Sequence, residues 1–409
     1  MKARQPLEIF SSLGAEEIEV ATYYPERNGG VLEYEPTWVS HPHAYPLSPA
    51  LPLMRGKQRL MSVAEKLPAL LSDSAPDRWG RMLIQRDFAA NGRQPTEVDY
   101  LLGVADRYRL GALRFFVEGT AQAPISRVPK VLELADLERA ARLVQEGSSS
   151  IEVVQRIAQA GSSLGGARPK ATVVAEDGRL MMAKFSSTDD TIDVVSWEKV
   201  CLDIARAAGI RVPASRILHV NRRPVLLVER FDRLYDDLGN EHRVPYMSAL
   251  TLLDLSDGQR SSMVEIAEAL QPVASDAAND LGELFSRAAL NLLVGNTDNH
   301  LRNHGFLRTD SGWTLSPLFD VNPATTKTDF ATSVDVATED SVDSLMGAAE
   351  WFGLTQEQAL SRLQAIVDST SSWRDLARQH GIPSAQDALV QAGFDGPHLA
   401  RAKQWLTEG

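Results

Sequence analysis

The sequence has one cysteine, Cys201, in 409 residues. An intrachain disulfide is therefore impossible and a Cys-based zinc site is excluded, as suits a reducing compartment. Long hydrophobic runs are missing as well. No stretch stays apolar for the roughly 18 residues that a membrane helix needs. The opening residues, MKARQPLEIFSSLGAEEIEV, lack the apolar core of a signal peptide. A cytoplasmic protein with no membrane attachment is expected. Positive charge is also in deficit, with 42 Lys and Arg against 54 Asp and Glu and a net charge of -12. Nucleic-acid backbones are held by clustered Lys and Arg, so nonspecific binding to them by this chain alone is not expected. Pairs such as Arg222-Arg223 are too short to alter that.

What remains is a globular composition, 44% hydrophobic, long enough for two or three packed units. Residues 1–120 open with short apolar runs between turn residues, LEIF, EIEVATYY and VLEYEPTWV, which read as strands. The proline-rich HPHAYPLSPALPLM should be extended. Two segments of helical spacing follow, and LGALRFFVEG closes the region as a strand. Residues 121–230 begin with the amphipathic patterns ELADLERAARLVQEG and SIEVVQRIAQAG. They continue with a glycine-rich loop, a hairpin around EDG, the helix DVVSWEKVCLDIARAAG, and two strands, PASRILHV and RRPVLLVERFDR. Residues 231–409 are mainly helical, interrupted by a hairpin around TDSG.

The segment NTDNHLRN closes one of these helices, and the hairpin leads from it to LFDVNP. Asp298 and Asn303 stand in the spacing D-x-x-x-x-N of kinase catalytic loops. An aspartate there orients or accepts the proton of an attacking hydroxyl. An asparagine five positions on offers a hard carbonyl oxygen to Mg²⁺, and Asp320 supplies a second oxygen after the hairpin. The same two residues also suit a helix C-cap and turn.

In GSSLGGARPK, small residues permit close approach of backbone N–H groups to phosphate, although no Walker A pattern is matched and a plain surface turn fits equally. Lys184 ends an apolar strand one hairpin later. Glu198, on the next helix, is its candidate ion-pair partner. LLVERFDR stands where a hinge between kinase lobes would lie, or a plain domain crossover.

Taken in this order, the four elements resemble the HipA family of type II toxin–antitoxin kinases over nearly the whole chain. SSLGGARPK is similar to the family loop S-x-x-G-x-x-[PE]-K, and NTDNHLRN to N-x-D-x-H-x-K-N, with Arg302 in place of the family lysine. LLSDSAPDRWGRMLI and YLLGVADRYRLGALRF resemble the N-terminal subdomain of full-length members.

The resemblance implies an α+β, bilobal protein-kinase-like fold with a β-rich N-terminal subdomain and a helical C-terminal lobe. It implies Asp298 as catalytic base, Asn303 and Asp320 as Mg²⁺ ligands, and Lys184 on the ATP phosphates. Gly165 and Gly166 would cradle phosphate, and His300 would lie near it. Glu229 and Phe231 would bind adenine through backbone groups and Asp232 would bind ribose. Ser163, or its neighbour Ser162, would be autophosphorylated, with Arg168 and Lys170 as nearby partners for the phosphate.

The implied partners are a HipB-like DNA-binding antitoxin, through which alone DNA is reached, and a translation-related protein substrate such as an aminoacyl-tRNA synthetase. A small-molecule kinase of the aminoglycoside or lipid-kinase type shares the D-x4-N signature, and a catalytically silent antitoxin-binding scaffold is the third reading.

Overall fold

A computed structural model describes residues 5–13, 16–62, 66–123, 128–147, 150, 168–325 and 328–408. The chain forms two compact units. The first comprises Met1–Thr188, Val220–Arg223 and Leu227–Asp257, and the second Asp189–His219, Pro224–Leu226 and Gly258–Gly409. Compactness thus partitions the chain differently from the divisions near 120 and 230 suggested by composition.

In the first unit, β1 (Leu7–Leu13), β2 (Glu16–Glu26) and β3 (Gly29–Tyr34) are the expected N-terminal strands. With β4 (Lys57–Met61), β5 (Arg114–Val117) and β6 (Thr120–Ala121) they form an antiparallel sheet in the order β4-β3-β2-β1-β5-β6. The expected strand VLEYEPTWV stops early, because Pro36 starts a helical turn, α1 (Pro36–Val39). The proline-rich segment packs inward: Tyr45, Leu47 and Leu51 are buried, and the Tyr34 hydroxyl donates to the Leu51 carbonyl at 3.1 Å.

The helices of this unit are α2 (Ala69–Ser72), α3 (Arg78–Ala90), α4 (Glu97–Gly103) and α5 (Leu134–Gln145). Asp77 caps α3 and a Thr96–Asp99 capping box starts α4, each satisfying N–H groups that the first turn leaves without partners. β7 (Lys170–Val174) and β8 (Leu180–Phe185) are the hairpin expected around EDG.

The chain then enters the second unit through α6 (Val194–Ala207) and β9 (Ser215–Val220), and returns within β10 (Arg223–Glu229). The first unit closes with the pair β11 (Arg233–Tyr235) and β12 (Glu241–Arg243), then β13 (Tyr246–Ser248) and α7 (Ala249–Leu252).

The second unit is built around α9 (Ala277–Val294), buried at every position from Asp280 to Val294. A helix apolar around so much of its girth belongs in a core. It follows α8 (Met263–Leu270), which opens with a Ser262–Glu265 capping box. β14 (Gly305–Arg308) and β15 (Trp313–Leu315) are the expected hairpin. Beyond it come α10 (Val342–Gly347), α11 (Gln356–Thr370), α12 (Trp373–Gln379), α13 (Asp387–Phe394) and α14 (Pro397–Glu408). Trp197 of α6 packs against Trp373 and Phe394, with ring centroids 5.8 and 5.7 Å away, and its indole N–H donates to Gln386. No described helix is long and apolar enough to cross a membrane.

Candidate active site

The loop carrying Asp298 begins where α9 is forced to stop. Gly295 has φ +67, a left-handed C-cap that a glycine enters without steric cost. A Cβ on Gly295 would lie 2.9 Å from the Cα of Gly393 on α13, and one on Gly393 would lie 2.5 Å from the Val294 carbonyl oxygen. Two glycines therefore meet back to back. Asn296 next ties three pieces together. Its amide donates to the Asn291 side chain at 2.9 Å, and its Oδ1 accepts the Asn322 N–H at 3.3 Å.

Asp298 is exposed, while Asn303 is buried. The Asp298 carbonyl accepts the His300 N–H and the Asn303 Nδ2–H, each at 2.9 Å, and the Asn303 N–H donates to the His300 carbonyl at 2.7 Å. With its Nδ2 so fixed, Asn303 keeps a buried Oδ1 that has no hydrogen-bond partner among the described residues. Buried polar atoms are nearly always paired, so a bare carbonyl oxygen here is a fitted donor for a hard cation.

Asp320 reaches the second unit's site through a tightly held approach. The Ser316 N–H donates to Gly305 and the Leu318 N–H to the Arg211 carbonyl, both at 2.8 Å. Arg287, fully buried, donates to the Ser316 carbonyl at 2.5 Å and pairs with Glu283. Arg211 bridges Glu283 and Asp280 at 2.6 and 2.7 Å. Asp320 itself sits at φ +57, a left-handed conformation that costs a non-glycine residue energy and recurs at functional sites. Its N–H donates to Glu198 Oε1 at 3.2 Å. Glu198 is buried on α6, so the helix anchored by Trp197 also braces Asp320.

His304, the residue after Asn303, donates its Nε2–H to the Asn299 carbonyl at 3.2 Å. Burial, with Arg287 and His300 adding to it, pushes its pKa down to about 4. It is a neutral strut rather than an acid. Among the described residues no group of three or more His, Cys, Asp or Glu side chains is placed to hold a metal. A cation at this site would therefore rest on Asn303, Asp320 and oxygens of its own ligand.

The first unit holds the other expected residues. Lys184 is half-buried on β8, in register with Lys170. The Glu229 side chain pairs with Arg179 at 2.7 Å, and Phe231 packs on Tyr246 with centroids 6.2 Å apart.

Asp232 has a set of partners that the sequence did not show. It is fully buried, and its carboxylate accepts from Arg230 Nε and Nη2, Arg233 Nη1 and the Gly111 N–H at 2.6 to 2.9 Å. Burial alone would raise its pKa, but the two arginines hold it well below the usual carboxylate range. Arg230 and Arg233 thus hold Asp232 in a buried ion cluster. Arg230 and Arg233 in turn donate to carbonyls of Tyr108, Arg109 and Gly111, riveting the expected hinge to the N-terminal subdomain.

Ser162, Ser163, Gly165 and Gly166 lie outside the described residues. At the described end of that loop, Lys170 is buried with its ammonium 2.6 Å from Asp77. Sequence reasoning missed this pair. It also missed Asp73, which accepts from the Ser248 N–H, the Ser248 hydroxyl and the Thr251 hydroxyl at 2.6 to 2.7 Å. Both acids lie in the stretch DSAPD, and that local run of polar residues inside an apolar context was the available signal.

Comparison with known proteins adds relatives and a family. Y4mE of Sinorhizobium fredii is 27% identical over 238 residues, covering 51% of this chain and 55% of that protein. The serine/threonine-protein kinase toxin HipA of Shewanella oneidensis is 24% identical over 240 residues, covering 50% of this chain and 54% of that protein. The chain thus spans about half the length of the curated relatives it matches. A solved complex of Shewanella oneidensis MR-1 HipA, HipB and operator DNA shares the fold: TM-score 0.66, 18% identity, 98% of this chain and 96% of that one. A family model for the HipA N-terminal domain matches residues 15–116. Another, for the HipA-like C-terminal domain, matches residues 162–374, more than half of the sequence. The chain therefore belongs to the HipA family.

Proposed function

We propose that this chain is an ATP-dependent serine/threonine protein kinase acting as a HipA-type toxin. The observation that carries the reading is the bare, buried Oδ1 of Asn303 in a loop whose aspartate, Asp298, stands exposed. A loop built only as a helix cap would have no need to leave a buried oxygen unpaired.

In this reading Asn303 and Asp320 hold Mg²⁺, and Lys184 holds ATP phosphates. Backbone groups of Glu229 and Phe231 hold adenine, and Gly165 and Gly166 line the phosphate loop. ATP supplies the phosphoryl group and Mg²⁺ offsets its charge. Asp298 is free to turn toward an incoming hydroxyl and take its proton. Asn303, by fixing the Asp298 carbonyl, limits where that carboxylate can reach. Glu198 steadies Asp320 through its N–H.

The acceptors would be Ser163 or Ser162 of the chain itself and a translation-related protein. The regulatory partner would be a HipB-like antitoxin, as in the Shewanella oneidensis complex with HipA. A phosphate on Ser163 adds about -1.5 to -2 charges, which cannot share a pocket with ATP phosphates. Phosphorylation should then switch the enzyme off, with its counter-charge from Arg168 or from Lys170, which already pairs with Asp77.

Intact-mass analysis of the purified chain after incubation with Mg-ATP, alone and with cell extract, tests the reading. A phosphate adduct at Ser162 or Ser163, absent from Asp298→Asn, is expected. No transfer to the chain or to any extract protein would overturn it.

A further inference from the structure

The four residues Ala331–Val334 follow Asp320 and have every backbone N–H accounted for. Ala331 donates to the Thr297 carbonyl at 3.0 Å, Ser333 to Ser261 at 3.3 Å and Val334 to Asp340 Oδ1 at 2.7 Å. Thr332 donates to Asn299 Oδ1 at 3.0 Å, and its carbonyl accepts the Asn299 Nδ2–H at 2.8 Å. The carbonyls of Ser333 and Val334 accept from Met263 and Val264, extending a parallel bridge between Ser262 and Ser333.

The segment carries one bridge residue, Ser333, and runs between the start of α8 on one side and the loop carrying Asp298 on the other. On that loop a single side chain, Asn299, stands in for a neighbouring strand. Thr332 turns both its N–H and its C=O to Asn299, and a carboxamide offers one acceptor and one donor to match. Asn299 and Thr332 are both buried, so neither bond can be replaced by water without opening the structure.

The segment has a second face. Ala331 and Ser333, with Gly295 and Thr297 of the loop, line one side of a cavity of about 700 Å³. Gly393 and His398 lie on the side formed by α13 and α14. Thr297 is the residue next to Asp298, so this wall adjoins the proposed base along the chain.

We propose that Asn299 is a positioning residue for the protein acceptor. It fixes the wall Ala331–Val334 in register with Asp298, so that a hydroxyl-bearing segment resting on that wall is presented to the base. Kinase segments after the metal aspartate are often ordered by an added phosphate and an arginine. Here a neutral amide does the ordering, and no modification is required. This inference rests on the kinase reading.

The test uses the full chain as Asn299→Asp and Asn299→Ala. Asp keeps the shape and the acceptor but turns a second acceptor toward the Thr332 carbonyl, and it serves where Ala does not fold. The acceptor probe is the full-length Asp298→Asn chain, which presents Ser163 without transferring phosphate itself. Three readouts are compared: Mg-ATP affinity by calorimetry, amide exchange at residues 331–334, and KM and kcat for the probe.

Expected are an Mg-ATP affinity within about twofold of wild type, amide exchange faster by about tenfold or more, and KM for the probe raised about tenfold with kcat less affected. Unchanged exchange, or unchanged KM, in a folded variant overturns the proposal. A loss of Mg-ATP affinity equal to the loss of transfer also overturns it, since the defect would then be general. Wild-type protein that phosphorylates neither itself nor the probe overturns the kinase reading and the acceptor role with it. The exchange data would still decide whether Asn299 holds the wall.

Discussion

Lys170 buries its ammonium 2.6 Å from the carboxylate of Asp77, 93 positions earlier, with both side chains almost wholly out of water. Asp77 uses its other oxygen to cap α3, accepting the Gly80 N–H at 2.8 Å. The end of the glycine-rich loop and a helix of the N-terminal subdomain thus share one carboxylate. Removing one partner of such a pair leaves a buried charge, at a cost of about 3–5 kcal/mol. Lys170→Met should lose about that much in urea denaturation. A loss within about 0.5 kcal/mol, the usual range for surface changes, would show that the pair is not the anchor described.

Asp298→Asn should lower phosphate transfer by about 10²-fold or more, the usual contribution of a positioned base. The Asn303 bond to the residue-298 carbonyl is made to the backbone and survives the change. Folding and nucleotide binding should therefore be retained. The check is single-turnover transfer from labelled ATP beside calorimetry, and near-normal transfer would remove Asp298 from the chemistry.

Asp320→Ala and Asp320→Gly should both abolish most Mg²⁺-dependent nucleotide binding, because each removes one of the few protein oxygens on the ion. They should differ in stability. At φ +57 a residue with a Cβ is strained by about 1–2 kcal/mol relative to glycine, so the glycine variant should be the more stable of the two. Equal Mg-ATP affinity in wild type and both variants would place the metal elsewhere.

Asp232 provides the pH test. Its folded pKa lies below the ordinary value of 3.8, so the charged form is favoured by folding. The stability it contributes is present above the unfolded pKa and is lost as pH falls through the folded one. Asp232→Asn should cost about 3–5 kcal/mol near neutrality, since Arg230 and Arg233 are left buried without their counter-charge. The gap between wild type and variant should stay level from about pH 8 to about pH 5, then narrow below about pH 4. A gap that widens on acidification would contradict the assignment.

Much of the candidate site was legible because the chemistry proposed for it needs particular residue types at fixed spacing within one short loop. Asp298, Asn303 and the hairpin leading to Asp320 are of that kind, and the two strands of that hairpin lie where TDSG places them. The buried ion cluster around Asp232 was not legible, for the opposite reason. LLVERFDR shows a strand running into charges, but the Tyr108–Gly111 stretch that fills those charges lies more than a hundred residues away. The Lys170–Asp77 pair is hidden by the same kind of separation. Asn299 sits at a position the motif leaves open, and its partner is a backbone, which carries no sequence signal. In VLEYEPTWV the β-branched and aromatic residues suggested a strand, and Pro36 overrode them locally.

The contact of Gly295 with Gly393 joins positions almost a hundred residues apart. The turn that launches the Asp298 loop is packed against a helix made long after it. During synthesis, Asp298, Asn303 and Asp320 all emerge before the surface on which that turn closes. A growing chain therefore carries these three residues without the seat that shapes the Asp298 loop, and the seat is supplied only when α13 arrives.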